Sequence, residues 1–285
     1  LKAAAVVDSD GGGDAQSITE ALALVREGAT IRIHPGRYNE DLTITKSVKL
    51  VGDRAAPPIL VGSIVSVGKD VTLQSLKLES RHRDGTLRLE SGTLRLVDCQ
   101  VQNNGGVALD RALTPAVAVT GGVLEIEGGV VGPGPDAAIV VSASGRLWIH
   151  DDGNVRGNTG YGIYVTGQSE VNISHSQLSG SIAVVAHRRT NLVLTDTALI
   201  GTQGKPVVSL WDQTVAEILN NKVEIAAGDQ ARIPADRNWI WISRSVSHRI
   251  EGNVTTKGKR LPEPKSQGAG PDDEVRPNLK RRRAG

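Results

Sequence analysis

At 285 residues with 39% hydrophobic content, the chain could form two ordinary domains or one extended repeat domain, but it has no Phe, no Met, three Tyr and four Trp. Its core must therefore be built from Val, Ile, Leu and Ala, mostly strand formers, and its 33 Gly are spread along the chain as frequent sharp turns require. Residues 257–285 hold nine Lys or Arg against four Asp or Glu, leaving 24 basic and 27 acidic residues in the body, so the formal charge of +2 is no argument for a nucleic-acid-binding fold.

Two further exclusions follow. No apolar run approaches the roughly eighteen residues of a membrane-spanning helix. A single cysteine, Cys99, rules out an intramolecular disulfide and sits in the strand-like run Leu94-Arg-Leu-Val-Asp-Cys-Gln-Val101, where a structural role is expected. The chain opens on Leu1 rather than Met, which is compatible with removal of a targeting segment.

Residues 14–28 carry the one helical pattern. Ile18, Ala21, Leu22 and Val25 recur at i, i+3, i+4 and i+7; Asp14 or Ser17 is positioned to cap the start, Ser17 and Glu20 have capping-box spacing, and Gly28 ends the run. Such a helix ahead of many strands would cover the open first coil of a solenoid.

Beyond it the period becomes two. Ile31-Arg-Ile33, Leu42-Thr-Ile44 and Val48-Lys-Leu50 are short alternating runs. Similar runs begin at Val48, Val71, Leu94, Val123, Leu147, Val171, Leu192 and Val215, at intervals of 21 to 29 residues. A second set falls between them: Leu87-Arg-Leu89, Val117-Ala-Val119, Ile139-Val-Val141, Ile163-Tyr-Val165, Ile182-Ala-Val184 and Val208-Ser-Leu210. Two strand columns at about 4.8 Å per coil predict a rod of roughly 35 to 40 Å from eight repeats. The longest interval contains Gln102 to Pro115, read as a loop bulging from the coil, and residues 228–238 are a second break before Trp239-Ile-Trp-Ile242.

The opening segment resembles a known family. Asp10-Gly-Gly-Gly-Asp14, Ser17-Ile18, Glu20-Ala-Leu22, Ile31-Arg-Ile33-His-Pro-Gly36-Arg-Tyr38-Asn-Glu40, Leu42-Thr-Ile44, Lys46 and Leu50-Val-Gly52 are similar to the start of the pectin-lyase-like superfamily, nearest to its pectinesterase group. The resemblance implies an all-β, single-stranded right-handed parallel β-helix, here over residues 1–256 with a short N-terminal capping α-helix, and a polysaccharide as partner. It stops short of the esterase chemistry. The group's Gly-x-x-Asp-Phe-Ile-Phe-Gly stretch has no counterpart in a chain without Phe; Pro133-Gly-Pro-Asp136 and Ile149-His-Asp-Asp-Gly153 are its nearest shapes. The expectation is a non-catalytic scaffold binding a polysaccharide or protein, with a divergent polysaccharide lyase, epimerase or glycoside hydrolase as the alternative.

Two constellations are candidates for a site. Column alignment stacks Ser75, Asp98, Glu127, Asp151, His175, Asp196 and Leu219. Stacked carboxylates perturb one another and offer oxygen ligands to Ca²⁺, but strand-to-strand turns select the same residue types for local hydrogen bonding. Should the column be catalytic, Asp151 or Asp152 would be the base, and Arg156 or His175 would stabilise developing oxygen charge. The second constellation is Tyr161, Tyr164, His187, Arg188, Arg189 and Trp211, aromatic platforms beside cations that suit a sugar or peptide and equally suit covering a core edge. The sequence calls for no dedicated cofactor.

Residues 257–285 hold four Pro and little aliphatic periodicity, predicting a flexible basic tail. Its Lys280-Arg-Arg-Arg283 run is where nucleic acid or an anionic membrane would bind. Asn172-Ile-Ser174 and Asn253-Val-Thr255 match the N-glycosylation triplet.

Overall fold

In the computed structural model, residues 1–106, 113–202, 204–226 and 239–262 are described. They coil into a parallel β-helix whose strands stack in three sheets of eleven, ten and nine strands. A representative coil runs Asp70–Gln74, Lys77–Ser80 and Leu87–Leu89 before re-entering the first sheet at Thr93–Val97. All strand-to-strand neighbours within the three sheets are parallel, and each is one coil apart in sequence. Eleven rungs at about 4.8 Å make a rod of roughly 48 Å, longer than eight repeats because strands Lys2–Val7, Val25–Ile33 and Ser247–Glu251 extend the stack at both ends.

The core is the stack of inward aliphatic side chains. Val71, Leu94, Leu124, Leu147, Val171 and Leu192 lie one above another in the eleven-strand sheet, all essentially without solvent contact. Two positions of the expected column differ by one residue. Thr93 pairs with Val123 and Asn191 with Val215, so Leu124 and Ala216 point inward, while Val215 is 49% exposed. In the nine-strand sheet Ile163 stacks on Val184 rather than Ile182, and Val185, not Ala183, faces outward. The run Ile182-Ala-Val-Val-Ala186 has no polar residue to mark a face, so alternation cannot set its register. The ten-strand sheet is a third column, with Leu78, Val101, Val131, Val155, Leu178 and Leu199 inward.

The helix α1 spans Ile18–Leu24, shorter than 14–28 because Val25 already begins a strand. Ser17 is its N-cap, its Oγ accepting from the Glu20 amide at 3.1 Å, and the Glu20 carboxylate accepts from the Gln16 amide at 3.1 Å. Glu40, one coil on, accepts from the Ile18 and Thr19 amides at 2.8 and 2.9 Å. Asp14 does not cap the helix; it takes the Val6 amide and pairs with Lys2. Ile18, Ala21 and Val25 are buried under this arrangement, closing the first coil.

The sharpest corner joins the eleven- and ten-strand sheets. Its first residue is left-handed on coil after coil: Ser75, Asp98, Gly128, Asp151, His175, Asp196, Asn220 and Gly252 all have φ between 46° and 69°. Register puts Gly128 and Asn220 there rather than Glu127 and Leu219, which are the last residues of their strands. On six of these eight coils the next residue is buried, Gly129 and Asp152 being the exceptions. Cys99, Ser176, Thr197 and Asn253 each donate from the side chain to the carbonyl two residues back, at 2.7 to 3.5 Å. At Gly129, a β-carbon would fall 2.2 Å from the Cys99 carbonyl oxygen, so only glycine fits that coil.

The far end is closed from the C-terminal side. Leu261 is 5% exposed within the core cluster, its amide donating to the Asn253 carbonyl at 3.0 Å, and the Thr255 amide donates to the Lys259 carbonyl at 2.8 Å. Residues 257–262 thus cover the last coil and are continuous with the body expected to stop at 256. The remainder of the tail, with Lys280–Arg283, and the breaks at 107–112 and 227–238 lie outside the described residues.

The buried Asn221 ties three coils together. Its Oδ1 accepts from the Thr197 amide at 2.9 Å, while its Nδ2 donates to the Leu194 carbonyl at 2.9 Å and to Asn253 Oδ1 at 3.0 Å. Replacing it with Ala leaves these buried groups unpaired, and Asn221→Ala is expected to lower unfolding free energy by about 2 to 4 kcal/mol in a urea titration. Asn220→Gly, at the exposed left-handed corner, is expected to change it by less than about 0.5 kcal/mol.

Candidate functional site

The outer face of the nine-strand sheet is the one place where aromatic side chains gather. Its central outward column runs Arg88, Ala118, Val140, Tyr164, Val185, Ser209 and Trp241, one residue per coil. Ala118 and Val140 form a floor of small side chains, and from Arg88 to Tyr164 is three coils, about 14 Å. Beyond the floor stands a second apolar cluster of Tyr164, Ile182, Val185 and Trp211, with Leu113, Val140, Tyr161 and Trp241 packed against it.

The aromatic geometry is specific. Tyr161 and Tyr164 approach with ring centroids 5.6 Å apart, Tyr164 meets His187 edge-on at 5.3 Å, and Trp241 stacks on Trp211 at 3.6 Å. Tyr164 Oη and His187 Nε2 are 2.6 Å apart, and Trp211 Nε1 donates to Ser209 Oγ at 2.7 Å. Trp211 is largely buried, so Trp241 is the face the pair offers to a ligand. Arg188 and Arg189 follow at consecutive left-handed positions, φ 63° and 62°, and Arg189 Nε donates to Gln213 Oε1 at 3.0 Å. The structure therefore brings Tyr161, Tyr164, His187 and the Arg188–Arg189 turn to one edge of the cluster, with Trp211 one coil beyond His187. Trp241, absent from the sequence-based set, completes it. Its signal was the pair Trp239-Ile-Trp241, whose alternation places one indole inward and the other outward.

At the other end, Arg88 lies on the same column with Nη2 2.8 Å from Glu90 Oε1. Its Nε is buried without a hydrogen-bond partner among the described residues. No Asp or Glu occupies the central column from Arg88 to Trp241, so that line offers no pair of acids for hydrolysis.

The four residues of the acidic reading are only partly brought together. Asp152 and His175 share an open hollow of about 570 Å³ with Asn154, Gln177, Asp196, Asn220 and Lys222. Asp151 pairs instead with its neighbour, Oδ2 lying 2.7 Å from His150 Nδ1, and Arg156 Nε donates to Asn154 Oδ1 at 3.3 Å. Neither Asp151 nor Arg156 lines the hollow. Asp151, Asp152 and Gly153 are three residues where the other coils from Ser75 onward use two, so this corner bulges and both aspartates take left-handed φ, 53° and 66°. Among the described residues no three His, Cys, Asp or Glu converge on a point that could hold a metal ion. Cys99 is 2% exposed and burial pushes its thiol up to about 12, which fits a packing role.

Comparison with known proteins gives the class. No protein-family model matches the chain. Over 81 residues it is 40% identical to "Probable pectinesterase/pectinesterase inhibitor 35" of Arabidopsis thaliana, a match covering 26% of this chain and 15% of that relative. The pectin methylesterase from carrot superposes with a TM-score of 0.50 at 15% identity, over 91% of this chain and 88% of the other. For the deglycosylated pectin methylesterase from Aspergillus niger the TM-score is 0.37 at 14% identity, covering 94% and 83%. The chain is a right-handed parallel β-helix, and in that fold it is similar to the carrot pectin methylesterase. No described helix is long and apolar enough to cross a membrane.

Burial, the largest cause at each site, raises all three tyrosine phenols above 10.0, Tyr164 to about 12. Above the unfolded pKa the unfolded state gives up protons that the folded state keeps. The tyrosine contribution is therefore constant at neutral pH and is lost as pH rises from about 10 towards 12. In an alkaline titration tyrosinate absorbance is expected to rise in one cooperative step together with loss of the β-sheet circular dichroism. An early rise with the sheet signal intact would contradict it.

Proposed function

We propose that the chain engages an acidic, pectin-like polysaccharide along the outer face of the nine-strand sheet. The observation that carries this reading is the run of a small-residue floor into an aromatic ledge flanked by Arg188 and Arg189. Sugars stack their apolar C–H faces on aromatic rings, and guanidinium groups pair with carboxylates in a planar, two-pronged geometry. A floor of about three coils at about 4.8 Å per coil accepts a chain of roughly three sugars laid across the strands. The likeness to pectinesterases favours a polysaccharide over a protein partner, and it weighs towards a divergent polysaccharide-acting enzyme more than towards an inert scaffold.

Turnover is the second reading, favoured by the hollow in which Asp152, His175, Asp196 and Lys222 meet. There Asp152 or Asp196 would serve as base and His175 or Lys222 would stabilise oxygen charge. Asp151 and Arg156 stand at its margin and would act only by reaching in.

Binding is measured by calorimetry with galacturonate oligomers. Trp241→Ala and Arg188→Ala are each expected to weaken affinity by about tenfold, and Arg54→Ala, remote from the face, to leave it unchanged. Undiminished affinity in the Trp241→Ala, Arg188→Ala double variant would refute the site. For the second reading, release of unsaturated or reducing ends, or of methanol from methyl-esterified pectin, should fall by about a hundredfold or more in Asp152→Asn and His175→Ala. Absence of turnover in the parent chain rejects it.

A further inference from the structure

We propose that His187 is a proton-controlled element of this face, whose protonation tightens the hold on carboxylate-bearing sugar chains. The inference rests on the reading of the face as a polysaccharide site and adds its regulation.

His187 ends strand Ile182–His187 and projects from the outer face, in register with Thr166. Its Nε2 lies 2.6 Å from Tyr164 Oη, and its Nδ1 lies 3.9 Å from Asp212 Oδ2. The histidine side chain is 14% exposed and the aspartate 58%, so the ring is fixed while its partner reaches solvent. Among the described residues, the groups facing it come from three neighbouring stretches of chain. The preceding strand supplies Tyr161 and Tyr164, both with raised phenols and neutral at physiological pH. Its own turn supplies Arg188 and Arg189, the latter tied to Gln213. The turn one coil on supplies Asp212, with Arg244 a further coil beyond.

Two protonation states give this cluster two hydrogen-bond polarities. In neutral His187, the Asp212 carboxylate favours hydrogen on Nδ1, leaving the Nε2 lone pair to accept the Tyr164 hydroxyl. In the imidazolium both ring nitrogens are donors. Nε2–H then donates to Oη, the phenol hydrogen is released towards another acceptor, and a unit positive charge appears beside Arg188 and Arg189. Each change favours an anionic ligand. A uronate carboxylate stays ionised down to about pH 4, so the coupling falls between about pH 5 and pH 8.

The experiment uses the full chain and two probes, a galacturonate oligomer and a neutral oligosaccharide of similar length, by calorimetry at about pH 5.5 and about pH 7.5. The acidic probe is expected to bind about three- to tenfold more tightly at the lower pH, with no such gain for the neutral one. His187→Gln, which keeps a hydrogen-bonding side chain without titrating, should flatten the profile. By linkage, saturating oligomer should raise the His187 pKa, read from its imidazole NMR signals, by the matching half unit to one unit, roughly. Binding with the same pH profile in His187→Gln as in the parent, or a histidine pKa unmoved by ligand, overturns the proton coupling alone. No binding of the acidic probe at either pH overturns the polysaccharide reading and this proposal with it.

Discussion

Everything in this molecule depends on the chain returning to the same angular position after each coil. Only then can parallel strands exchange backbone hydrogen bonds and like side chains stack on like. The corner between the eleven- and ten-strand sheets enforces the return, and from Ser75 onward it uses a left-handed residue on every coil. For a residue with a β-carbon that conformation costs roughly 1 to 2 kcal/mol, least for Asn and Asp. Burying a single Val, Leu or Ile contributes about 1.5 to 3 kcal/mol, and each coil buries several, so packing wins at every corner.

This accounts for the acidic column without invoking chemistry. Asp98, Asp151 and Asp196 share their place with Ser75, Asn220, Gly128 and Gly252, and the common property is tolerance of positive φ rather than charge. Stacking in register does not make them a cluster. Asp98 turns to Arg54 at 3.5 Å and Asp151 to His150. What sets one stretch apart is the extra residue at Asp151-Asp152-Gly153, which swings Asp152 beside His175 and opens the hollow.

How much of this could be read from sequence depended on how strongly each face was marked. Strands such as Val71-Thr-Leu73 and Leu94-Arg-Leu96 alternate cleanly, so the eleven-strand sheet was legible in kind and nearly in register. The slips at Val123 and Val215 arose because a β-branched residue precedes the true inward one, mimicking the start of the pattern. The ten-strand sheet was invisible because its strands mostly bury one aliphatic residue apiece, as with Leu78, Val155 and Leu178, and a single residue has no period. The site was legible in composition only. Tyr161, Tyr164, His187 and Trp211 stood out as rare residue types, but the Tyr164–His187 hydrogen bond and the Trp211–Trp241 stack join residues 23 and 30 positions apart and appear only once the coils are aligned.

The location of the aromatic residues carries the functional argument further than their number. The interior is filled by Val, Ile, Leu and Ala, and in the described coils it accepts few larger side chains, Tyr38 and Trp239 standing at the two ends. The fold therefore has no demand for rings in its middle coils. Four of the seven Tyr and Trp nevertheless sit together on one outer face, over four consecutive coils, with the Tyr164 hydroxyl held by His187 and the Trp211 indole N–H by Ser209. Outward positions on a solenoid are under the weakest packing constraint, and the neighbouring coils fill the same column with Ala118 and Val140. A costly, ordered aromatic ledge where the scaffold would accept alanine is best explained by something that lies against it.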